Sequence, residues 1–273
     1  MRSENKNLFL QTTNVVAVII TITVNALANI LPLNGKYTGQ ISDSYPNLFA
    51  PAGYVFSIWG LIYTLLLLFA AHQALPRQRE SPFLQRIGYL FILSSLANIT
   101  WLFLWHYEQI VLSTIPMFIL LATLVSAYLR LGIGRSDVSL REKILVHLPF
   151  SVYLGWITVA SIGNVAAALT AIGLSGWGIG EVAWTVLVII VAAIITMAVT
   201  ATRRDIAFSM VIIWALIGII VKQTDKQILV LTAGTAITAI IAFLAFIKTK
   251  KTVQQRPSSD NGLEALRSRE ATC

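Results

Sequence analysis

"FAPAGYVFSIWGLIYTLLLLFAAHQ", residues 49–73, carries no Asp, Glu, Lys or Arg. At 1.5 Å per residue, an uncharged run of this length spans the ~30 Å hydrocarbon layer of a bilayer as one helix. Lipid offers no partner for backbone N–H and C=O groups, so a helix, which pairs them internally, is the expected form. The run has two unlike halves. Pro51, Gly53, Tyr54, Phe56 and Trp59 crowd the first, whereas the second is aliphatic through Leu65–Leu68. Pro51 suits the first turn of a helix, where its missing N–H is no loss, and Gly53 suits a close approach of backbone or ligand. The aromatic half is expected to face other helices and the aliphatic half lipid.

Outward from this stretch the pattern repeats. Apolar spans fall at about 12–33, 50–75, 84–106, 109–131, 144–171, 182–202, 206–221 and 228–247, the seventh being short. Of the 273 residues, 56% are hydrophobic and 12% charged, about half the charge of a soluble protein. The class is an integral membrane protein, all-α, a polytopic bundle of eight helices; nothing in the runs alternates as a membrane barrel strand would. The net charge of +8 lies between the spans and in the tail. Arg77, Arg79 and Arg86 follow span two, Arg135, Arg141 and Lys143 span four, and Arg203 and Arg204 span six, with Lys248, Lys250 and Lys251 after span eight. The basic excess falls on every second loop, against Lys36 after span one and Lys222 and Lys226 after span seven, which places both termini in the cytoplasm. The plasma membrane is the expected location, and no basic stripe with interleaved aromatics supports nucleic-acid binding. The first span is too long for a cleaved signal peptide despite "ALAN" at 26–29. One cysteine, Cys273, excludes an internal disulfide. The polar tail 249–273 reads as disordered, with its lysines near lipid headgroups.

Four spans each carry an aromatic or amide stripe well inside the hydrocarbon zone. Phe56, Trp59 and Tyr63 share one face of span two, and Asn98, Trp101 and Trp105 one face of span three. Tyr153, Trp156, Ala160, Gly163 and Asn164 do so in span five, and Asn25 and Asn29 in span one. Buried amides are costly unless bonded, so these faces should turn inward. For a single Asn, ordinary interhelical packing is the simpler reading, and Trp105, Trp177 and Trp184 fit interface anchors. Trp59, Trp101 and Trp156 lie deeper and share faces with polar groups, as in a pocket that stacks a flat apolar molecule.

At these residues the chain resembles the TspO/MBR family, the tryptophan-rich sensory proteins that include the mitochondrial translocator protein. "FAPAGYVFSIWGLIY" keeps Pro51, Gly53, Val55, Phe56, Trp59 and Tyr63 of that family's second-helix segment. Asn98 and Trp101 match its third-helix pattern, and "YLGWITVASIGN" its fifth, through Tyr153, Trp156, Ala160 and Asn164. Phe49 and Tyr54 stand where the family often has tryptophan, and Ala52 and Ser57 replace prolines. The resemblance covers roughly residues 12–171. It implies a five-helix core over 1–174; the three additional transmembrane helices over 175–248 have no place in that fold and are expected to cover one side of it. It also implies a pocket lined by Phe56, Trp59, Tyr63, Asn98, Trp101, Tyr153, Trp156, Ala160 and Asn164, open toward the loop 34–49, for a planar ligand such as a porphyrin.

No catalytic constellation, cofactor motif or metal-ligand spacing is legible. His72, His106 and His147 sit apart near span ends, and no acidic residue lies deep in a span. Three functions compete: a membrane protein that senses or transports a tetrapyrrole-like molecule, an enzyme that degrades bound porphyrin through Trp101 or Trp156, and a structural or regulatory subunit without a small-molecule ligand.

Overall fold

The structure, a computed structural model, describes residues 2–254. Eight long helices dominate: α1 (Arg2–Ile30), α2 (Ile58–Gln73), α3 (Leu90–His106), α4 (Ile110–Leu131), α5 (Leu148–Ala171), α6 (Glu181–Arg203), α7 (Ile206–Lys222) and α8 (Gln227–Gln254). The described residues contain helices and turns and no strand. Among the described residues six segments are long and apolar enough to cross a membrane; α3 and α7, of 17 residues each, are the shorter apolar helices. The molecule is a polytopic membrane helical bundle.

Several boundaries differ from those expected, each for a local reason. The span expected at 84–106 is broken: Pro82–Ile87 forms a separate turn of helix, and Gly88 at φ +50° redirects the chain before α3. The stretch at 49–73 enters as a 3-10 turn, Gly53–Ser57, and becomes α-helical only at Ile58. Pro51 therefore precedes the helix rather than occupying its first turn, and nothing lies within 4 Å of where a Cβ at Gly53 would sit. The close approach occurs instead at Gly218 of α7, where a Cβ would come within 2.2 Å of Val55 Cγ2. Helix α8 runs to Gln254, into the expected polar tail; the rest of that tail lies outside the described residues.

Helices α1 to α5 form a ring in which α1 packs on α2 and α3, α3 on α4, α4 on α5, and α5 on α2. The inner face of α1 is more polar than its sequence suggested. Asn7, Gln11, Asn14, Thr21 and Asn25 are all buried, and Gln11 and Gln73 exchange amide-to-carbonyl hydrogen bonds at 2.6 and 3.0 Å. Helix α7 packs against α5, α6, α8 and the Gly53–Ser57 turn, so α6–α8 lie along one side of the ring. Gly155 of α5 makes that contact close, since a Cβ there would meet Val211 at 3.0 Å. The α6–α7 turn is fixed by Asp205. Its carboxylate caps α7 through the Phe208 N–H at 3.1 Å and accepts from Ser151 Oγ at 2.6 Å and the Tyr128 hydroxyl at 2.9 Å. A buried carboxylate is tolerated where several donors replace its water.

Candidate ligand-binding site

Trp59 is the hub of the aromatic cluster. Its ring stacks on Tyr63 at 5.4 Å and on Trp101 at 6.2 Å, and meets Tyr153 and Trp156 edge-on at 6.0 and 6.2 Å. Phe56 meets Trp156 edge-on at 5.8 Å, and Trp101 stacks on Trp105 at 5.7 Å. The helical period brings this about: residues three, four and seven apart share a face, and the faces of α2, α3 and α5 turn toward one another. Each such ring pair adds about 0.5–1.5 kcal/mol beyond its burial.

Amides bind the cluster together. The Trp101 indole N–H donates to Asn164 Oδ1 at 2.7 Å, and Asn164 Nδ2 donates to Ser113 Oγ at 3.0 Å. On the far side of Trp59, Asn25 Nδ2 donates to Asn98 Oδ1 at 2.8 Å, and Asn98 Nδ2 donates to the Tyr153 hydroxyl at 3.1 Å. Within the cluster these bonds do not reach Trp156. The Trp156 N–H is buried and has no hydrogen-bond partner among the described residues.

A cavity of about 50 Å³ lies beside these rings. Phe56, Trp59, Trp101, Trp156, Ala160 and Asn164 line it. Tyr63, Asn98 and Tyr153 do not; they pack and hydrogen-bond behind the lining rings. Sequence reasoning missed the rest of the wall. Trp105, read as an interface anchor, is 5% exposed, lines the cavity and donates its N–H to the Thr38 carbonyl at 3.2 Å. Thr38 and Ser42, on a short helix Thr38–Ser44, and the segment Phe49–Pro51 form the roof. The Thr38–Ser44 helix is too short, and the stretch 45–51 too irregular, for a period to be read from the sequence. Gly163 leaves open space at the cavity wall, with nothing within 4 Å of a built Cβ.

The roof is anchored at its edge by an ion pair. Lys36 Nζ lies 2.7 Å from Glu108 Oε1, and the Tyr45 hydroxyl donates to Glu108 Oε2 at 3.1 Å. The hydrogen bond from Lys36, more than any other influence, holds the Glu108 carboxyl below its usual range. Burial, followed by the hydrogen bond to Glu108, pushes the Tyr45 phenol up.

A larger depression of about 520 Å³ lies between α2, α5 and α7. Its walls include Leu61 and Met210, each more than half exposed on the outer surface of the bundle. It holds neither the ring cluster nor its amides, and faces where lipid tails would lie.

The sequence model of the family described as TSPO-like protein matches residues 11–247 of this chain, continuing past the three-motif region into α6–α8. No curated protein and no solved structure matches the chain. With the family match covering most of its length, and with its aromatic and amide stripes joined in one membrane-helix bundle, the chain belongs to the TSPO-like protein family.

Proposed function

We propose that this protein binds a planar, mainly apolar molecule in the cavity beside Trp59, as a membrane sensor or transporter, with a tetrapyrrole as the ligand class the family resemblance implies. The observation that carries this reading is the convergence of Trp59, Trp101 and Trp156 from three helices onto one cavity, with the Trp156 N–H left without a partner. Indole faces supply stacking area, and a free buried N–H supplies one orienting hydrogen bond.

The size of the cavity sets a condition. About 50 Å³ has room for a few waters at ~10–15 Å³ each, against the ~300–1,000 Å³ of a small-molecule pocket. A tetrapyrrole therefore enters only if the roof at Thr38–Ser44 and Phe49–Pro51 moves. The test is titration of the purified protein with protoporphyrin, followed by porphyrin absorbance because the substitutions remove reporting indoles. Trp101→Leu with Trp156→Leu is expected to weaken binding about tenfold or more, from two lost stacking faces. Unchanged affinity in a variant that remains folded would remove the site. The small cavity also favours a second reading, a structural or regulatory subunit with no small-molecule ligand. Absence of saturable protoporphyrin binding by the unmodified chain would support it.

A further inference from the structure

The roof of the cavity is held by helix α7, which lies outside the three motifs of the aromatic site. Five contacts carry the hold. The Ala52 N–H donates to the Gly218 carbonyl at 3.0 Å. The Trp214 indole N–H donates to the Val55 carbonyl at 3.2 Å, and the Trp214 ring meets Tyr54 edge-on at 5.3 Å. Gly218 lies so close to the 51–55 segment that an added Cβ would stand 2.2 Å from Val55 Cγ2 and 3.0 Å from Pro51 Cβ. Lys222 Nζ lies 2.6 Å from Asp43 Oδ1 on the short helix that carries Thr38 and Ser42.

We propose that α7 is a latch on the cavity, in which Gly218 and Trp214 fix the Pro51–Ser57 edge of the roof, Lys222 fixes the Thr38–Ser44 edge, and release of these contacts admits the ligand. The physical argument concerns where stability is low. The Thr38–Ser44 helix is too short to be stable alone. It buries Thr38, Ile41 and Ser42, so its opening is set by how many contacts hold those residues in place. The Lys222–Asp43 pair, with its side chains 30% and 60% exposed, is the weakest of the five contacts. The Gly218 contact is the closest, and the Val55 and Pro51 side chains that face it, one β-branched and one a ring, have little freedom to yield. A ligand larger than the present cavity must displace residues that α7 holds, so α7 lowers the population of the open form beside the Lys36–Glu108 pair and the Trp105–Thr38 bond. The inference rests on reading the cavity as a binding site.

The test needs no ligand and so separates the latch from that reading. In a Cys273→Ser background, Ser42→Cys places a thiol on the cavity wall with little change in volume. Its reaction with a water-soluble maleimide, on full-length protein in lipid nanodiscs, reports roof opening. Lys222→Gln is expected to raise the labelling rate about two- to fivefold, the range for losing a partly exposed pair. The swap Asp43→Lys with Lys222→Asp is expected to return it near the parent rate. Gly218→Ala is expected to raise it about tenfold, because the overlap is absorbed by the roof. A second reporter, Ser94→Cys, sits buried in α3 at the opposite end of that helix from Trp105, and its rate should not change. An unchanged Ser42→Cys rate in Lys222→Gln, or an equal rise at Ser94→Cys, overturns the latch, and if Gly218→Ala fails to fold, Lys222→Gln and the charge swap decide alone.

Discussion

Asn164 shows how a single amide serves both packing and the site. It accepts from the Trp101 indole and donates to Ser113, so it joins α5 to α3 and α4 while forming part of the cavity wall. Asn164→Leu would leave the Trp101 N–H unpaired in an apolar setting. We expect a loss of about 1–2 kcal/mol, read as a lower thermal midpoint in detergent. Trp101→Phe in the Asn164→Leu background should then cost less than it does alone, since the bond it removes is already gone; full additivity would show that the pair is not coupled. At this scale the sequence was informative about position and silent about partner. The stripes placed Asn25, Asn98 and Asn164 inward correctly, because a buried amide has few other options in lipid. Asn29, expected inward with Asn25, is instead exposed at the end of α1, where it donates to the Asn25 carbonyl and accepts from Thr38. Nothing in their spacing distinguished Asn164, at the cavity, from Asn98, which bonds to Asn25 and Tyr153 behind the rings.

At the scale of elements, the long apolar helices were legible and the segments between them were not. The α2 entry is the clearest case. Its aromatic residues were visible in the sequence, but its 3-10 turn and the role of Pro51 depend on α7, which is distant along the chain. The break at Gly88 was hidden in the same way, within a stretch apolar enough to read as one span. The roof offers an electrostatic prediction. Because Lys36 lowers the Glu108 carboxyl pKa, their pair contributes stability above the ordinary glutamate range and loses it as pH falls through the lowered value. The thermal midpoints of the wild type and Glu108→Gln should therefore differ at neutral pH and converge as pH drops below the normal glutamate pKa of ~4.3. The difference should be small, as both side chains are about one-third exposed. A gap that stays constant across the acid range would remove the ion pair as its cause.

For the whole molecule, the question is what α6–α8 do. Phe208, Val211, Ile212, Ala215, Leu216 and Ile219 of α7 are all buried, and Asp205 ties the α6–α7 turn to Ser151 of α5 and Tyr128 of α4. These contacts make the C-terminal helices part of one packed body with the ring. We expect a chain ending at residue 174 to aggregate or unfold in detergent, and the full chain to give one symmetric peak by size-exclusion chromatography. The same fragment, co-expressed with residues 175–273, should recover that peak, because membrane helices insert separately and then associate. A stable, monodisperse 1–174 fragment would show that the three helices are dispensable to the core.

The sequence by itself determined that the chain crosses a membrane as helices and which faces of α2, α3 and α5 turn inward. Both follow from local physics: the cost of exposing backbone and amide groups to lipid, and a helical period that maps spacing onto faces. Only the tertiary structure decided how large the cavity is, what roofs it, and that α7 grips the roof. Those properties depend on contacts between residues as far apart as Val55 and Trp214, separated by 159 positions, and a sequence pattern carries no distance between segments that meet only after the bundle has packed.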